Sequence, residues 1–273
     1  MKRSLVLVLS IFLVLALTVT GCQSAADEPG NGAQDTSWEE IKERGYFIVG
    51  LDDSFPPMGF RDEQNEIVGF DIDMAKAAAE LMGVEVKFQP VVWSSAIMEL
   101  NNKNVDLIWN GMTITEERKE QIDFSNPYLQ NAQIIVVQKD SPIKTKADLA
   151  GKVIAIQAGS TSEDAIKSEP EVYESFKSVK EFSNNTEALL DLKAGRVDAV
   201  VVDEVVGRYY VNLKPEDYTI LDDDFGMEQY GVGARKGDAA FLAELQKALN
   251  TLNENGTAEE ISLKWFGKDI VIK

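Results

Sequence analysis

Histidine is absent from this 273-residue chain, and cysteine occurs once, as Cys22. Without histidine the chain cannot form a Ser-His-Asp or Cys-His catalytic arrangement, an imidazole proton relay or a zinc site with histidine ligands. A single cysteine excludes an intrachain disulfide bond and a metal cluster held by several thiolates. The sequence therefore predicts no metal and no cofactor.

Basic residues are also scarce, because 27 Lys and Arg face 46 Asp and Glu and give a formal net charge of −19. Binding to phosphate backbones needs a basic surface, so we predict no nucleic acid partner. Most of the acidic residues are expected to serve solubility at the surface. Apolar residues make up 44% of the chain, which is ordinary for a globular protein of one large or two medium domains.

The N-terminus carries an apolar segment that is short for a membrane span. Lys2 and Arg3 precede residues 5–17, which are apolar except for Ser10, whereas a spanning helix needs about 20 apolar residues. This order is typical of a signal peptide, predicted here as residues 1–21. The alternative is a short hydrophobic anchor or a buried helix.

The four residues Val19-Thr20-Gly21-Cys22 resemble the bacterial lipobox. The resemblance implies cleavage before Cys22 and a lipid on its sulfur, and several acyl chains hold a protein stably on a membrane. The segment that follows, as far as residue 37, is rich in small and polar residues without periodicity, which predicts a flexible tether over 22–37. We therefore expect a lipid-anchored protein at the outer face of the cytoplasmic membrane.

The rest of the sequence alternates strands and helices, which predicts parallel α/β sheets. Asp71 is expected to cap the predicted helix 72–82 and Gly83 to end it. The first group comprises strands 46–51, 84–88 and 105–109 with helices 72–82 and 94–100. The same order restarts later in the chain, with strands 153–156 and 197–202 around a helix at 185–194.

Two extended stretches, 128–138 and 230–235, lie where the chain would pass between these groups, and two helices at 239–253 and 257–265 follow. The predicted fold class is therefore α/β, with two doubly wound lobes joined by two β-type hinge crossings. Lobe 1 is predicted to contain residues 38–130 and 229–273, and lobe 2 residues 131–228.

Polar and aromatic side chains follow the predicted strands, where open parallel sheets bind their ligands. The set includes an arginine, hydroxyls, carboxylates and aromatic rings, which suits an α-amino acid zwitterion. A guanidinium and N–H donors pair with its carboxylate, a carboxylate pairs with its ammonium, and aromatic faces hold its side chain. The candidate ligand residues are Asp52, Phe55, Trp93, Asn110, Gly111, Thr113, Arg118, Gln157, Ser160, Thr161 and Asp203.

Each candidate also has a purely structural interpretation. Arg118 would suit a solvated helix, Asp203 could cap the next helix, and Phe55 and Trp93 could belong to the core. Residues 159–161 could form an ordinary turn. Only their joint position after successive strands favours a binding site.

Several stretches of the chain carry a more specific signal, above all Gly-Phe-Asp-Ile-Asp at 69–73 combined with Ile-Thr-Glu-Glu-Arg at 114–118. Over residues 38–270 the sequence resembles type II periplasmic solute-binding proteins, in the polar amino acid branch (family 3) of ABC importers. The remaining matching stretches are Val49-Gly50-Leu51-Asp52, Phe55-Pro56-Pro57-Met58, Phe124-Ser125-Asn126-Pro127-Tyr128, Leu149-Ala150-Gly151-Lys152 and Gly195-Arg196-Val197-Asp198-Ala199.

This resemblance implies a role for each candidate around the ligand backbone. Arg118 would clamp the α-carboxylate with help from the Thr113 region and Thr161. Asp203 would take the α-ammonium together with the Gly111 carbonyl and the Thr113 hydroxyl. No residue is given a catalytic role.

The resemblance also implies how the ligand side chain is held. Phe55 and Trp93 would form aromatic walls, Asp52 would be the acidic reader, and Asn110 and Gln157 would occupy lining positions. Arginine, lysine, histidine or glutamine are the favoured ligands, and cystine and glutamate remain open.

The implied partners are an ABC permease and its separate ATPase, and we expect a monomer. Two other functions stay open: a dehydratase of prephenate or arogenate on the same fold, and a sensory partner that presents its ligand to a membrane receptor.

Overall fold

Two five-stranded sheets and one three-stranded sheet organise residues 35–273, the part of the chain that the computed structural model describes. The predicted signal peptide, Cys22 and the tether as far as residue 34 lie outside these described residues. Within residues 35–273, no helix combines the length and apolar character needed to cross a membrane.

Thirteen strands and ten α-helices alternate along the described residues. The strands are β1 Tyr46–Leu51, β2 Ser54–Phe55, β3 Gly59–Arg61, β4 Ile67–Val68, β5 Glu85–Pro90, β6 Leu107–Ile108, β7 Ile122–Phe124, β8 Leu129–Gln138, β9 Val153–Gln157, β10 Ser178–Phe182, β11 Ala199–Asp203, β12 Tyr218–Tyr230 and β13 Gly233–Arg235. The helices are α1 Ser37–Arg44, α2 Phe70–Met82, α3 Ala96–Asn101, α4 Glu116–Gln121, α5 Ser162–Lys167, α6 Pro170–Ser175, α7 Asn185–Lys193, α8 Glu204–Leu213, α9 Ala239–Glu254 and α10 Thr257–Phe266.

The first large sheet has the strand order β5-β1-β6-β13-β7, in which β1 runs parallel to β5 and β6. The second has the order β10-β9-β11-β8-β12, in which β9 runs parallel to β10 and β11. In the first sheet β13 runs antiparallel to β6 and β7, and in the second sheet β8 runs antiparallel to β11 and β12. The predicted fold class, two α/β lobes joined by two extended crossings, is confirmed.

The crossings run side by side. Strand β8 begins the second sheet at Leu129, and β12 ends it at Tyr230, directly opposite Leu129 in the register. The backbone N–H of Tyr128 donates to the Tyr230 carbonyl at 2.9 Å. The predicted lobe boundaries at 130/131 and 228/229 fall within these two strands.

Strand β12 is longer than the sequence predicts, because only residues 230–235 were expected to be extended. Three consecutive aspartates, 222–224, and Gly226 give this segment the composition of a loop. It pairs with β8 as an edge strand, and the register shifts between Ile220 and Asp224 and again before Met227. An edge strand keeps one side in solvent, so it tolerates acidic residues.

The start of α2 corrects the prediction for Asp71. Gly69 occupies the N-cap position, at φ +144°, where an added Cβ would lie 2.2 Å from the carbonyl oxygen of Met58. Asp71 lies in the first turn, fully buried, and accepts hydrogen bonds from the Gly111 N–H at 2.7 Å and the Tyr128 hydroxyl at 2.9 Å. Asp71 therefore fixes the loop after β6 and does not cap the helix. Gly83 ends α2 in the left-handed conformation, as predicted.

Both ends of the described chain pack on the first sheet. Trp38 of α1 stacks on Phe241 of α9, with ring centroids 6.3 Å apart. The Asp35 carboxylate, within the segment predicted as a tether, accepts a hydrogen bond from the Ala240 N–H at 2.6 Å. Lobe 1 thus combines the beginning and the end of the described chain, and lobe 2 is inserted between them.

Candidate functional site

Three of the predicted ligand residues stand where buried parallel strands end. Asp52 follows β1, Gln157 is the last residue of β9, and Asp203 is the last residue of β11. All three side chains are buried. These three side chains therefore lie at the ends of parallel strands, as the sequence predicted.

Asp52 lies in a network that joins the two lobes. Its Oδ1 accepts from the Ser54 hydroxyl at 2.6 Å, and its Oδ2 accepts from the Gln157 amide nitrogen at 2.7 Å. Its own N–H donates to Oδ1 of Asn110 at 3.1 Å, and Nδ2 of Asn110 has no hydrogen-bond partner among the described residues. Burial raises the pKa of the Asp52 carboxyl, although hydrogen bonds from Ser54 and Gln157 oppose the rise.

Arg118 also reaches from one lobe to the other. It lies on α4, whose N-cap Thr115 accepts a hydrogen bond from the Arg118 N–H at 3.1 Å. Its guanidinium donates to the Thr113 carbonyl at 2.8 Å in its own lobe and to the Gly159 carbonyl at 3.1 Å in the other. Burial lowers the pKa of Arg118, and the negative charges of nearby acidic residues oppose this. The side chain remains a cation at neutral pH, because guanidinium groups do not deprotonate in proteins.

Asp203 faces a second carboxylate, Glu228, which the sequence did not point to. Oδ1 of Asp203 accepts from Nδ2 of Asn131 at 2.7 Å and from the Tyr230 hydroxyl at 2.6 Å. The same Asn131 nitrogen donates to Oε1 of Glu228 at 2.6 Å. Burial, followed by the charge of Glu228, raises the pKa of Asp203 to about 8.

The two predicted threonines meet between the lobes. The hydroxyl oxygens of Thr113 and Thr161 are 3.3 Å apart, and both groups also donate to Glu228, at 2.9 and 2.8 Å. Ser160 points elsewhere, because its hydroxyl donates to the Gln157 carbonyl of its own loop at 2.8 Å. The structure therefore brings both threonines together and uses Ser160 to shape the turn.

The predicted aromatic walls form a stack. The rings of Phe55 and Trp93 lie nearly parallel, with centroids 6.5 Å apart. Gly111 adopts φ +62°, and an added Cβ would lie 2.9 Å from Cε1 of Phe55. Glycine at this position therefore lets the backbone approach the aromatic ring.

Two cavities near the lobe boundary differ in their chemistry. A cleft of about 480 Å³ is lined by Trp93, Arg118 and Gly159 among others. A larger cavity of about 990 Å³ lies between α8 and the C-terminal residues and contains none of the predicted ligand residues. Of these two, the smaller cleft is the one that borders Arg118.

Around Asp203 and the two threonines, sequence reasoning missed four side chains: Asn131, Gln133, Glu228 and Tyr230. The first two leave a readable signal. They are polar, two residues apart and therefore on the same face of the strand β8, whose other members are mostly apolar and buried. Glu228 leaves no such signal, because acidic residues abound in its segment.

An arginine from one lobe, a strand-end carboxylate from the other and hydroxyls of both lobes that meet at the boundary define a two-lobed solute-binding protein. The chain belongs to the bacterial extracellular solute-binding proteins, family 3, whose model matches residues 47–268.

Similar proteins agree with this family. The arginine-binding extracellular protein ArtP of Bacillus subtilis (strain 168) is 31% identical, over 97% of this chain and 98% of ArtP. The L-cystine-binding protein TcyJ of Escherichia coli (strain K12) is 29% identical, over 98% of this chain and 97% of TcyJ. A crystal structure of an ABC uptake transporter substrate binding protein from Streptococcus pneumoniae with bound histidine is 36% identical and has a TM-score of 0.84, covering 88% of this chain and 99% of that one.

Proposed function

We propose that this chain captures an amino acid between its two lobes and delivers it, chemically unchanged, to an ABC permease driven by a separate ATPase. The observation that carries the proposal is the position of Arg118 and Asp203 on different lobes, close enough for the charge of Asp203 to act on Arg118. A zwitterion has one group for each of them. Both of its charges must be paired in a buried site, since an unpaired buried charge costs several kcal/mol.

In this proposal Arg118 binds the α-carboxylate, assisted by the hydroxyls of Thr113 and Thr161. Asp203 binds the α-ammonium, assisted by the Gly111 carbonyl. For these assignments the two hydroxyls, which lie 3.3 Å apart across the lobe boundary and donate to Glu228, turn towards the ligand carboxylate. Hydrogen bonds to charged groups stabilise by about 1.5–3 kcal/mol each.

Asp52, with the stacked rings of Phe55 and Trp93, favours a cationic or amide side chain in the ligand. Asn110 and Gln157 complete this end of the site through their bonds to Asp52. Arginine, lysine, histidine and glutamine fit this chemistry best. The relative named for arginine and the structure with bound histidine are consistent with this range, and the relative named for L-cystine keeps cystine open.

Closure of the lobes is proposed to follow ligand binding. Contacts that cross the lobe boundary beside the site include Arg118 to the Gly159 carbonyl, Thr113 to Thr161, and Gln157 to Asp52. A ligand that bonds both lobes stabilises the closed state by its differential affinity for that state.

A thermal-shift screen of the twenty amino acids and cystine tests the ligand class. We expect stabilisation by one or more basic or amide amino acids, and Asp52→Asn should abolish the preference for a basic one. Stabilisation by acidic amino acids alone would overturn the role of Asp52. Turnover of arogenate or prephenate by the purified protein would overturn the proposal of binding without chemistry.

We further propose that the protein is exported and lipid-anchored through Cys22, and that it acts as a monomer. Palmitate labelling of growing cells should mark the wild type and leave Cys22→Ser unlabelled, while equal labelling of both would contradict the anchor. Light scattering at working concentration should give the monomer mass, and a dimer mass would contradict the second point.

A further inference from the structure

Glu228 lies on β12, two residues before this strand ends at Tyr230 and the chain returns to lobe 1. Its carboxylate accepts hydrogen bonds from Thr113 of lobe 1 and from three side chains of lobe 2, Asn131, Gln133 and Thr161. The donor–acceptor distances range from 2.6 to 2.9 Å. Glu228 thus occupies the centre of the proposed backbone-binding part of the site, although no motif marks it.

Glu228 and Asp203 form a carboxyl pair, since one amide nitrogen of Asn131 donates to both. When one member is protonated, it can hydrogen-bond directly to the other. Among the described residues, the hydrogen bonds of Asp203 reach its Oδ1, so Oδ2 keeps acceptor capacity. Two ionised carboxylates that share one amide donor repel each other strongly in a buried site, and in such a pair one carboxyl normally retains a proton.

The other charged and titratable groups around the carboxyl pair do not neutralise it. Arg118 acts on the pair through its charge, and the two hydrogen bonds of its guanidinium go to the carbonyls of Thr113 and Gly159. Burial and the charges of the pair raise the pKa of Tyr230 well above its usual value, so it stays a neutral donor. Lys119 lines a cavity together with Glu228, but its ammonium group donates a hydrogen bond to Glu116 on α4. The carboxyl pair therefore has room for one more positive charge.

We propose that Glu228 is a further ligand-site residue, and that the carboxyl pair it forms with Asp203 exchanges a proton held on Asp203 for the ammonium group of the bound amino acid. This inference rests on the proposed function. In the exchange the O–H bond of the protonated carboxyl breaks, the proton passes to solvent, and N–H groups of the ammonium donate to both carboxylates. At the carboxyl pair one positive charge replaces another, and the α-carboxylate of the ligand is paired with Arg118.

The exchange makes binding depend on pH. The pKa of Asp203 is about 8 because of burial and the charge of Glu228, and a bound ammonium lowers it. Below that pH the ligand must displace a proton, so affinity increases as the pH rises from about 6 to about 8, by up to about tenfold per unit. Replacing Glu228 with glutamine removes the neighbouring charge, so less proton is displaced and the pH dependence flattens.

Titration calorimetry with L-arginine, L-glutamine and L-cystine at pH 6, 7 and 8, in buffers of different ionisation enthalpy, counts the protons released. We expect close to one proton per bound amino acid at pH 7 in the wild type and fewer than half as many in Glu228→Gln, with weaker binding at pH 8. Glu204→Gln is the matched control, because Glu204 pairs with Arg208 on the outer side of α8, and it should behave as the wild type.

The outcomes separate this inference from the proposed function. If the wild type binds none of the three and shows no thermal shift with any of the twenty amino acids, amino acid capture itself is contradicted. If the wild type binds one of them without releasing a proton, or if Glu228→Gln releases as many protons as the wild type, the carboxyl pair is contradicted and capture stands. The proton count of the wild type needs no variant, so it decides the question even if Glu228→Gln does not fold.

Discussion

Replacing Arg118 with methionine removes a guanidinium that links the two lobes at the site while keeping most of the side-chain stem. The change deletes the hydrogen bonds to the Thr113 and Gly159 carbonyls, at 2.8 and 3.1 Å, and the proposed partner of the ligand carboxylate. The fold should survive, because α4 keeps its Thr115 cap, which bonds the backbone N–H of residue 118.

The expected loss follows from leaving a carboxylate without its cation. Removing one partner of a buried, hydrogen-bonded charge pair costs about 2–5 kcal/mol. At about 1.4 kcal/mol per factor of ten, the dissociation constant should rise by about 30-fold to about 4,000-fold. Loss of the two hydrogen bonds to carbonyls should move the change in dissociation constant towards the upper end of this range, because the bond to Gly159 joins the two lobes.

Isothermal titration with L-arginine, or with the amino acid that gives the largest thermal shift, measures this change. Arg208→Met is the matched control, since Arg208 pairs with Glu204 on the surface and surface ion pairs contribute about 0–1 kcal/mol to stability. We expect the control to bind within twofold of the wild type. An Arg118→Met protein that folds and binds within threefold of the wild type would refute the carboxylate clamp.

Three further predictions concern Gly111, the buried carboxyl of Asp71, and the contact between Phe60 of lobe 1 and Tyr209 of lobe 2. Gly111→Ala should lose about 1–3 kcal/mol of unfolding free energy in urea, because φ is +62° and the new Cβ would lie 2.9 Å from an aromatic carbon. Gly83→Ala, at φ +71° with open space around it, should lose less, and equal losses would contradict the steric argument. Burial raises the pKa of Asp71 from 3.8 to about 7, so folding retains a proton that the unfolded chain releases. Wild-type melting temperature should therefore fall relative to Asp71→Asn as the pH rises from about 4 to about 7, and a constant difference would refute this. Phe60→Ala removes a ring 5.8 Å from that of Tyr209 and should weaken amino acid binding about 2- to 12-fold by calorimetry, whereas unchanged binding would show that this pair does not assist closure.

Much of lobe 1 follows from local sequence patterns. The run 46–51 is apolar and ends in two aspartates, and it forms β1 with the predicted bounds. Gly83 ends α2, because a residue without Cβ adopts the left-handed conformation at little cost. Strand β6 is shorter than predicted, Leu107–Ile108 instead of 105–109, since its neighbours pair with it at only two positions.

The candidate site could be predicted as a set of positions and not as a network. Asp52, Gln157 and Asp203 were placed correctly at strand ends, because parallel strands bring their carboxyl ends to one edge. The interpretation of Asp71 as a helix cap was wrong for a physical reason. A capping residue and a buried acceptor look identical along the sequence, and only the packing of the loop at Gly111 against α2 decides between them.

The sequence by itself determined the family, the strand and helix alternation, and the absence of histidine chemistry, because composition and short motifs are local properties. The tertiary structure alone decided that Glu228 joins Asp203, although they lie 25 positions apart and on different strands that both flank β8. It also decided the protonation of Asp203, because desolvation and repulsion depend on which groups folding brings together.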